Sequence, residues 1–207
     1  MKNILFTLLT ICILTSCENK KINSQISKVI SKEYTNPPKL ESFKNPEKLI
    51  EILTNKNNIH FTGWGELSYL NEKNKWGAHS AINTFGKTSD NGQINDIGYQ
   101  LLGSEKNYVN EIQIILNIKN PEEKKEALTN LFVFASQTLA KLNIENPNNF
   151  KDEILKDNQY YFENETYYLL LKKEKRKEQN YSISNIPDIK LDKYIEVEIS
   201  KLFIKSK

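Results

Sequence analysis

The sequence predicts an α+β domain: a two-layer arrangement in which an antiparallel sheet of five to seven strands carries a long helix and one or two shorter helices on one face. Three observations predict it. Asn-Pro pairs at 45–46, 120–121 and 146–147 each introduce apolar residues at helical spacing. Between 59 and 118 the apolar period drops to two, the mark of half-buried strands. All seven glycines fall between 63 and 103, which suits the bends and turns of a strand meander better than a phosphate loop. The order is helix, four strands, long helix, short helix, then further strands, as in a sheet with helices segregated to one side.

The first helix is expected from Asn45-Pro46-Glu47 to about Asn55, with Asn as N-cap, Pro at the first helical position and an acid in the first turn. Leu49, Ile50, Ile52 and Leu53 supply its buried stripe. The long helix starts at Asn120-Pro121-Glu122-Glu123, where Glu123 stands three residues past the cap as in a capping box. It runs to about Leu142 with Leu128, Leu131, Ala135, Leu139 and Leu142 on one side. A short helix after Asn146-Pro147 carries Phe150, Ile154 and Leu155.

In 59–70 the odd positions are apolar or glycine, and in 75–85 the apolar set moves to even positions. A four-residue loop at Asn71–Asn74 then pairs Tyr69 with Trp76, Leu67 with Ala78, Glu66 with His79 and Gly63 with Ile82, so that both apolar faces coincide. A second hairpin turning at Ser104–Asn107 sets Ile97 opposite Ile114 and Tyr99 opposite Ile112. After the third helix, YYFENETYYLLLKK and YIEVEISKLF supply two or three strands, with Ile195, Val197 and Ile199 on one face. The intervening KKEKRKEQN reads as a solvated strand end and loop.

The amino-terminal MKNILFTLLTICILTSC has a lysine followed by an apolar core, Ile4–Leu14, too short for the roughly 20 residues of a membrane-spanning helix. Its end, Leu14-Thr15-Ser16-Cys17, resembles the lipobox of bacterial lipoprotein precursors. That resemblance implies a signal peptide over 1–16, cleavage before Cys17, and lipidation of the Cys17 sulfur and new amino terminus by diacylglycerol and a further acyl chain such as palmitate. Residues 17–42 then form a polar tether and 43–207 a single domain. The expected place is the bacterial cell envelope, facing the periplasm or the surface. Glu18 rather than Asp after the cysteine favours the outer over the inner membrane by the same resemblance.

Since Cys12 lies in the removed segment and Cys17 is lipidated, the folded part has no thiol for a disulfide, a zinc-cysteine cluster or a nucleophile. The fold must rest on its hydrophobic core. The net charge is +3, and of the 29 basic residues only Arg176 is not lysine. Nucleic acid, usually read by arginine forks, is therefore not an expected partner.

HFTGWGELSYLNEKNKWGAH, residues 60–79, holds both histidines and both tryptophans. No HExxH, GxSxG, GxxxxGK or EF-hand pattern occurs in the chain, so neither a cofactor nor a metal is expected. Trp64, between Gly63 and Gly65, is expected on the face away from the core, with Thr62, Glu66 and His79 around it as a partner-binding patch. Trp76 is expected in the core. Three functions fit these features: a non-enzymatic protein-binding domain, including an immunity protein that neutralises a secreted toxin; a structural or assembly subunit of an envelope complex; and a hydrolase with a site near Glu66 and His79.

Overall fold

In the computed structural model, residues 40–54, 59–67, 74–90, 92–179 and 194–206 are described. All belong to one compact unit. The expected signal segment, Cys17, the expected tether up to residue 39, Tyr69 and residues 71–73 of the expected hairpin loop lie outside the described residues. The domain is α+β. A 3₁₀ turn, Glu41–Lys44, leads into helix α1, Pro46–Thr54, and after five strands come α2, Lys124–Lys141, and α3, Phe150–Leu155. The strands are β1 Gly65–Glu66, β2 Trp76–His79, β3 Asn83–Phe85, β4 Asn95–Gly103, β5 Glu111–Ile118, β6 Tyr160–Glu163, β7 Tyr167–Gln179 and β8 Tyr194–Ser206. Every pairing is antiparallel, in the order β1-β2-β4-β5-β8-β7-β6 with β3 also on β4. Among the described residues the sheet thus has eight strands against the five to seven expected; the segment 75–85, expected as one strand, is divided into β2 and β3.

The helix starts follow their caps. Asn45 Oδ1 accepts from Lys48 N at 3.0 Å, and Asn120 Oδ1 accepts from Glu122 N at 3.3 Å before a 3₁₀ turn, Pro121–Glu123, that opens α2. Glu123 does not close a capping box. Its carboxylate accepts instead from Lys87 N at 2.6 Å, while Asn120 N donates to Asn95 Oδ1 at 2.8 Å. The helix start is therefore fastened to the β3–β4 connection, and the cap residues serve long-range partners. On α2, Ala127, Leu128, Leu131, Ala135 and Leu139 are buried, and Leu131 is wholly enclosed, as its mid-stripe place requires. They share one core with Leu49, Leu53, Tyr99, Ile112, Ile114, Leu169 and Leu202.

The second hairpin pairs Ile97 with Leu116, Tyr99 with Ile114 and Leu101 with Ile112, a shift of two from the expected register. An even shift keeps every side chain on its predicted face. The connection is correspondingly longer, with Glu105 bridging Tyr108 inside it. The carboxy-terminal segments give three strands, and KKEKRKEQ is not a loop: β7 continues through Gln179, paired with β8 along its whole length. Within β8, Val197 and Ile199 alternate out of phase with Leu202 and Ile204, so both faces of this strand are apolar in turn.

At one end, Lys124 at the start of α2 ion-pairs with Asp157 at 2.6 Å and with Glu198 of β8 at 2.5 Å, and Lys173 of β7 meets Asp157 at 2.6 Å. Burial alone would raise the Asp157 carboxyl, but hydrogen bonds from Lys124 and Lys173 outweigh it and hold the group below its ordinary 3.8. The hydrogen bond from Lys124 likewise holds Glu198 below 4.5 against burial. A carboxyl lowered in the folded state contributes stability that is complete above its unfolded pKa and lost as the pH falls through its folded one. Asp157 has a left-handed backbone, φ 59°, which asparagine adopts readily, so Asp157→Asn removes charge with little backbone cost. The variant should melt below the wild type at neutral pH, and the gap should begin to narrow near pH 3.8 and close below it. Thermal melts across that range check this; a gap independent of pH would show that the pairs contribute nothing.

Candidate functional site

The edge that begins with residues 59–67 does not follow the simple alternation. From Gly65↔Gly77 to Phe61↔Ser80, the first chain advances four residues while its partner advances three. One extra residue has entered at Gly63–Trp64, a β-bulge. Paired glycines tolerate such a bend, and its effect is specific. Regular alternation would send Phe61 and Trp64 to opposite faces; the bulge turns both onto the core. Phe61 stacks on Tyr99 with ring centroids 5.6 Å apart. Trp64 donates its indole N–H to Lys106 O at 2.6 Å and lies over Gly103, where the lack of a side chain makes room for the ring.

A second bulge adjoins the first. Ser80 N donates to Tyr99 O at 3.0 Å, whereas Asn83 pairs with Ile97, so β2–β3 gains one residue on β4 at Ala81–Ile82. Ala81 N donates to His60 O at 2.7 Å, which joins the two bent segments. Ile82, expected in the core opposite Gly63, is pushed outward and is 66% exposed.

These bulges redistribute the predicted patch. Trp64 is not on the face away from the core but packed against it, half-buried. Trp76, expected to be buried beside Tyr69, is only half-buried. Glu66 pairs with Trp76 instead of His79 and makes an ion pair with Lys75 at 3.1 Å. His79 lies three residues further along β2, about 10 Å away at roughly 3.3 Å per residue. Thr62 and His79 do stay together: His79 N donates to Thr62 Oγ1 at 3.0 Å and Thr62 N to His79 O at 2.8 Å. Among the described residues, no three His, Cys, Asp or Glu side chains converge to hold a metal ion.

What the arrangement offers, among the described residues, is an open sheet edge, β1 being terminal in the strand order. His60 and Thr62 make the inward bonds, so the Phe61 and Gly63 main-chain groups alternate away from β2. A Cβ built on Gly63 or Gly65 would meet nothing within 4 Å. Beside this edge stand the exposed Thr62, His79 and Ile82. Sequence reasoning missed Ile82 because it assumed unbroken alternation. The signal that could have found it is the Gly-Trp-Gly run itself, since glycine inside a strand pattern marks a bulge.

The seat of Trp64 is open to a direct test. A Cβ on Gly103 would fall 2.2 Å from Tyr108 O and 3.0 Å from the Trp64 ring. Gly103→Ala should destabilise by about 1–3 kcal/mol, as overpacking does, and in a Trp76→Phe background should shift Trp64 emission to the red. An unchanged melting point and spectrum would place the indole elsewhere. No family model, curated protein or solved structure matches the chain.

Proposed function

We propose that this is an envelope lipoprotein, anchored through lipid on Cys17, whose two-layer domain keeps its helices together on one face of the sheet and binds a protein partner along its β1 edge. The partner supplies an extended segment that adds a strand there, with Ile82, Thr62 and His79 as flanking side-chain contacts. One contrast carries this reading. Natural sheets protect free edges with charge, proline or bulges, and of these charge is the device that directly repels an added strand. Beyond its pairing with β6, β7 reads Lys-Lys-Glu-Lys-Arg-Lys-Glu-Gln over 172–179, a guarded edge. Residues 60–65, His-Phe-Thr-Gly-Trp-Gly, contain no charge guard and no proline, and two glycines leave the backbone approachable. An immunity protein that blocks a toxin at the envelope is the sharpest form of this function.

Two experiments test it. Capture from extracts of the source cells should recover a partner with the wild-type domain and lose it with Gly63→Lys/Gly65→Lys, which restores guard charges where side chains have free space. The variant's melting point should stay within a few degrees of the wild type; identical capture by both proteins would remove the edge as the site. Separately, Cys17→Ala should leave the protein unprocessed or release it from membranes on fractionation. A normally processed variant that still sediments with membranes would rule out the lipid anchor.

A further inference from the structure

At the far edge of the sheet from β1, the connection between α2 and α3 faces the β6–β7 turn across a cleft of about 470 Å³. That volume lies within the range of about 300–1,000 Å³ typical of small-molecule sites. Both walls are fixed by hydrogen bonds. Helix α2 ends with Asn143 in the left-handed region, φ 56°, and Ile144 N reaching back to Leu139 O at 2.8 Å; Ile144 is buried in the core and pins the connection. Across the cleft, Asn164 Oδ1 accepts from Thr166 N and Tyr167 N, each at 2.9 Å, and Asn164 N donates to Tyr167 O at 3.1 Å. The two walls are tied by Tyr160, whose hydroxyl donates to Asn148 O at 3.4 Å.

The lining decides the class of ligand. Four asparagines, 143, 146, 148 and 164, border the cleft together with Thr166. Apolar floor comes from Ile144, Phe162 and the largely buried Tyr167. Among the described residues no lysine, arginine or histidine lines it, and the one charged group there, Glu145, repels anions. Phosphates and carboxylates are thereby disfavoured, and a single carboxylate is too few for a metal. A wholly apolar ligand would strip water from the amides without replacing their hydrogen bonds. Carboxamides both donate and accept, as vicinal hydroxyls do, and a pyranose ring combines a rim of hydroxyls with an apolar C–H face. Walls already held in place lower the ordering cost of binding.

We infer that this asparagine-lined cleft is a binding site for a neutral saccharide of one or two rings, separate from the β1 edge and independent of the function proposed for that edge. The test uses the full chain, isotope-labelled to observe asparagine side-chain amides, titrated with maltose, cellobiose and N,N′-diacetylchitobiose. At least one should give saturable shifts of the lining amides, with those of Asn143 and Asn164 readable in every variant, and a dissociation constant of about 0.1–10 mM. Asn146→Ala/Asn148→Ala should weaken that binding by about tenfold or more, or 1.4 kcal/mol, with an unchanged melting point. Glucose 6-phosphate and the neutral peptide acetyl-trialanine amide should not compete. The absence of saturable shifts with all three sugars, shifts that persist in the double variant, or equal binding of the phosphate or the peptide would each overturn the assignment.

Discussion

The buried side chain of Tyr99 is the point on which the sheet edge and the helical layer both depend. Its ring lies between Phe61 of the edge segment, at 5.6 Å, and Phe134 of α2, at 4.7 Å, and its hydroxyl meets Thr138 Oγ1 at 2.5 Å. The Thr138 proton is already given to Phe134 O at 2.8 Å, so the phenol must be the donor. Burial pushes the phenol pKa up to about 12 despite the Thr138 bond, which keeps that proton in place across the physiological range. Its backbone is equally committed, donating to Ser80 Oγ at 2.8 Å and accepting from Ser80 N at 3.0 Å. One residue therefore fixes the height of α2 over β4 and the position of both bulges.

The parts of the fold legible in the sequence are those set by local chemistry or by period alone. Asn45 and Asn120 announced their helices because an N-cap needs only its own next turn. The second hairpin kept its faces despite a slip of two, because parity survives even shifts. The first hairpin was lost for the converse reason: Glu66 pairs with Trp76, three residues from the expected His79, each bulge adds a further odd shift, and alternation offers no sign of either. Trp64 and Ile82 exchanged places with the core through these odd shifts. The Glu123 cap failed differently. The residue type was right, but Lys87 N, far away in the chain, claimed the carboxylate, and no local pattern can show a competitor of that kind.

The two ends of the sheet solve the edge problem in opposite ways. On the β7 side, charge is dense and organised: Lys175 meets Glu196 at 2.8 Å and Glu198 at 3.3 Å, and Lys201 meets Glu174 at 2.8 Å. Exposed pairs of this sort contribute little to stability, typically under about 1 kcal/mol each. Their value lies in making the strand unattractive to other strands. On the β1 side residues 60–65 rely on bulges and glycines, which bend the backbone without charging it, and the nearest charges are the Glu66–Lys75 pair at the end of the segment.

The position of β8 also governs when the domain can form. It is the last strand in the chain yet lies between β5 and β7 and is hydrogen-bonded to both. Among the described strands, β1–β5 and β6–β7 share no pairing except through it. A nascent polypeptide that lacks β8 thus holds two incomplete sheets with no bridge between them. Contacts as distant in sequence as Ile112 with Ile204 slow folding until β8 has been made.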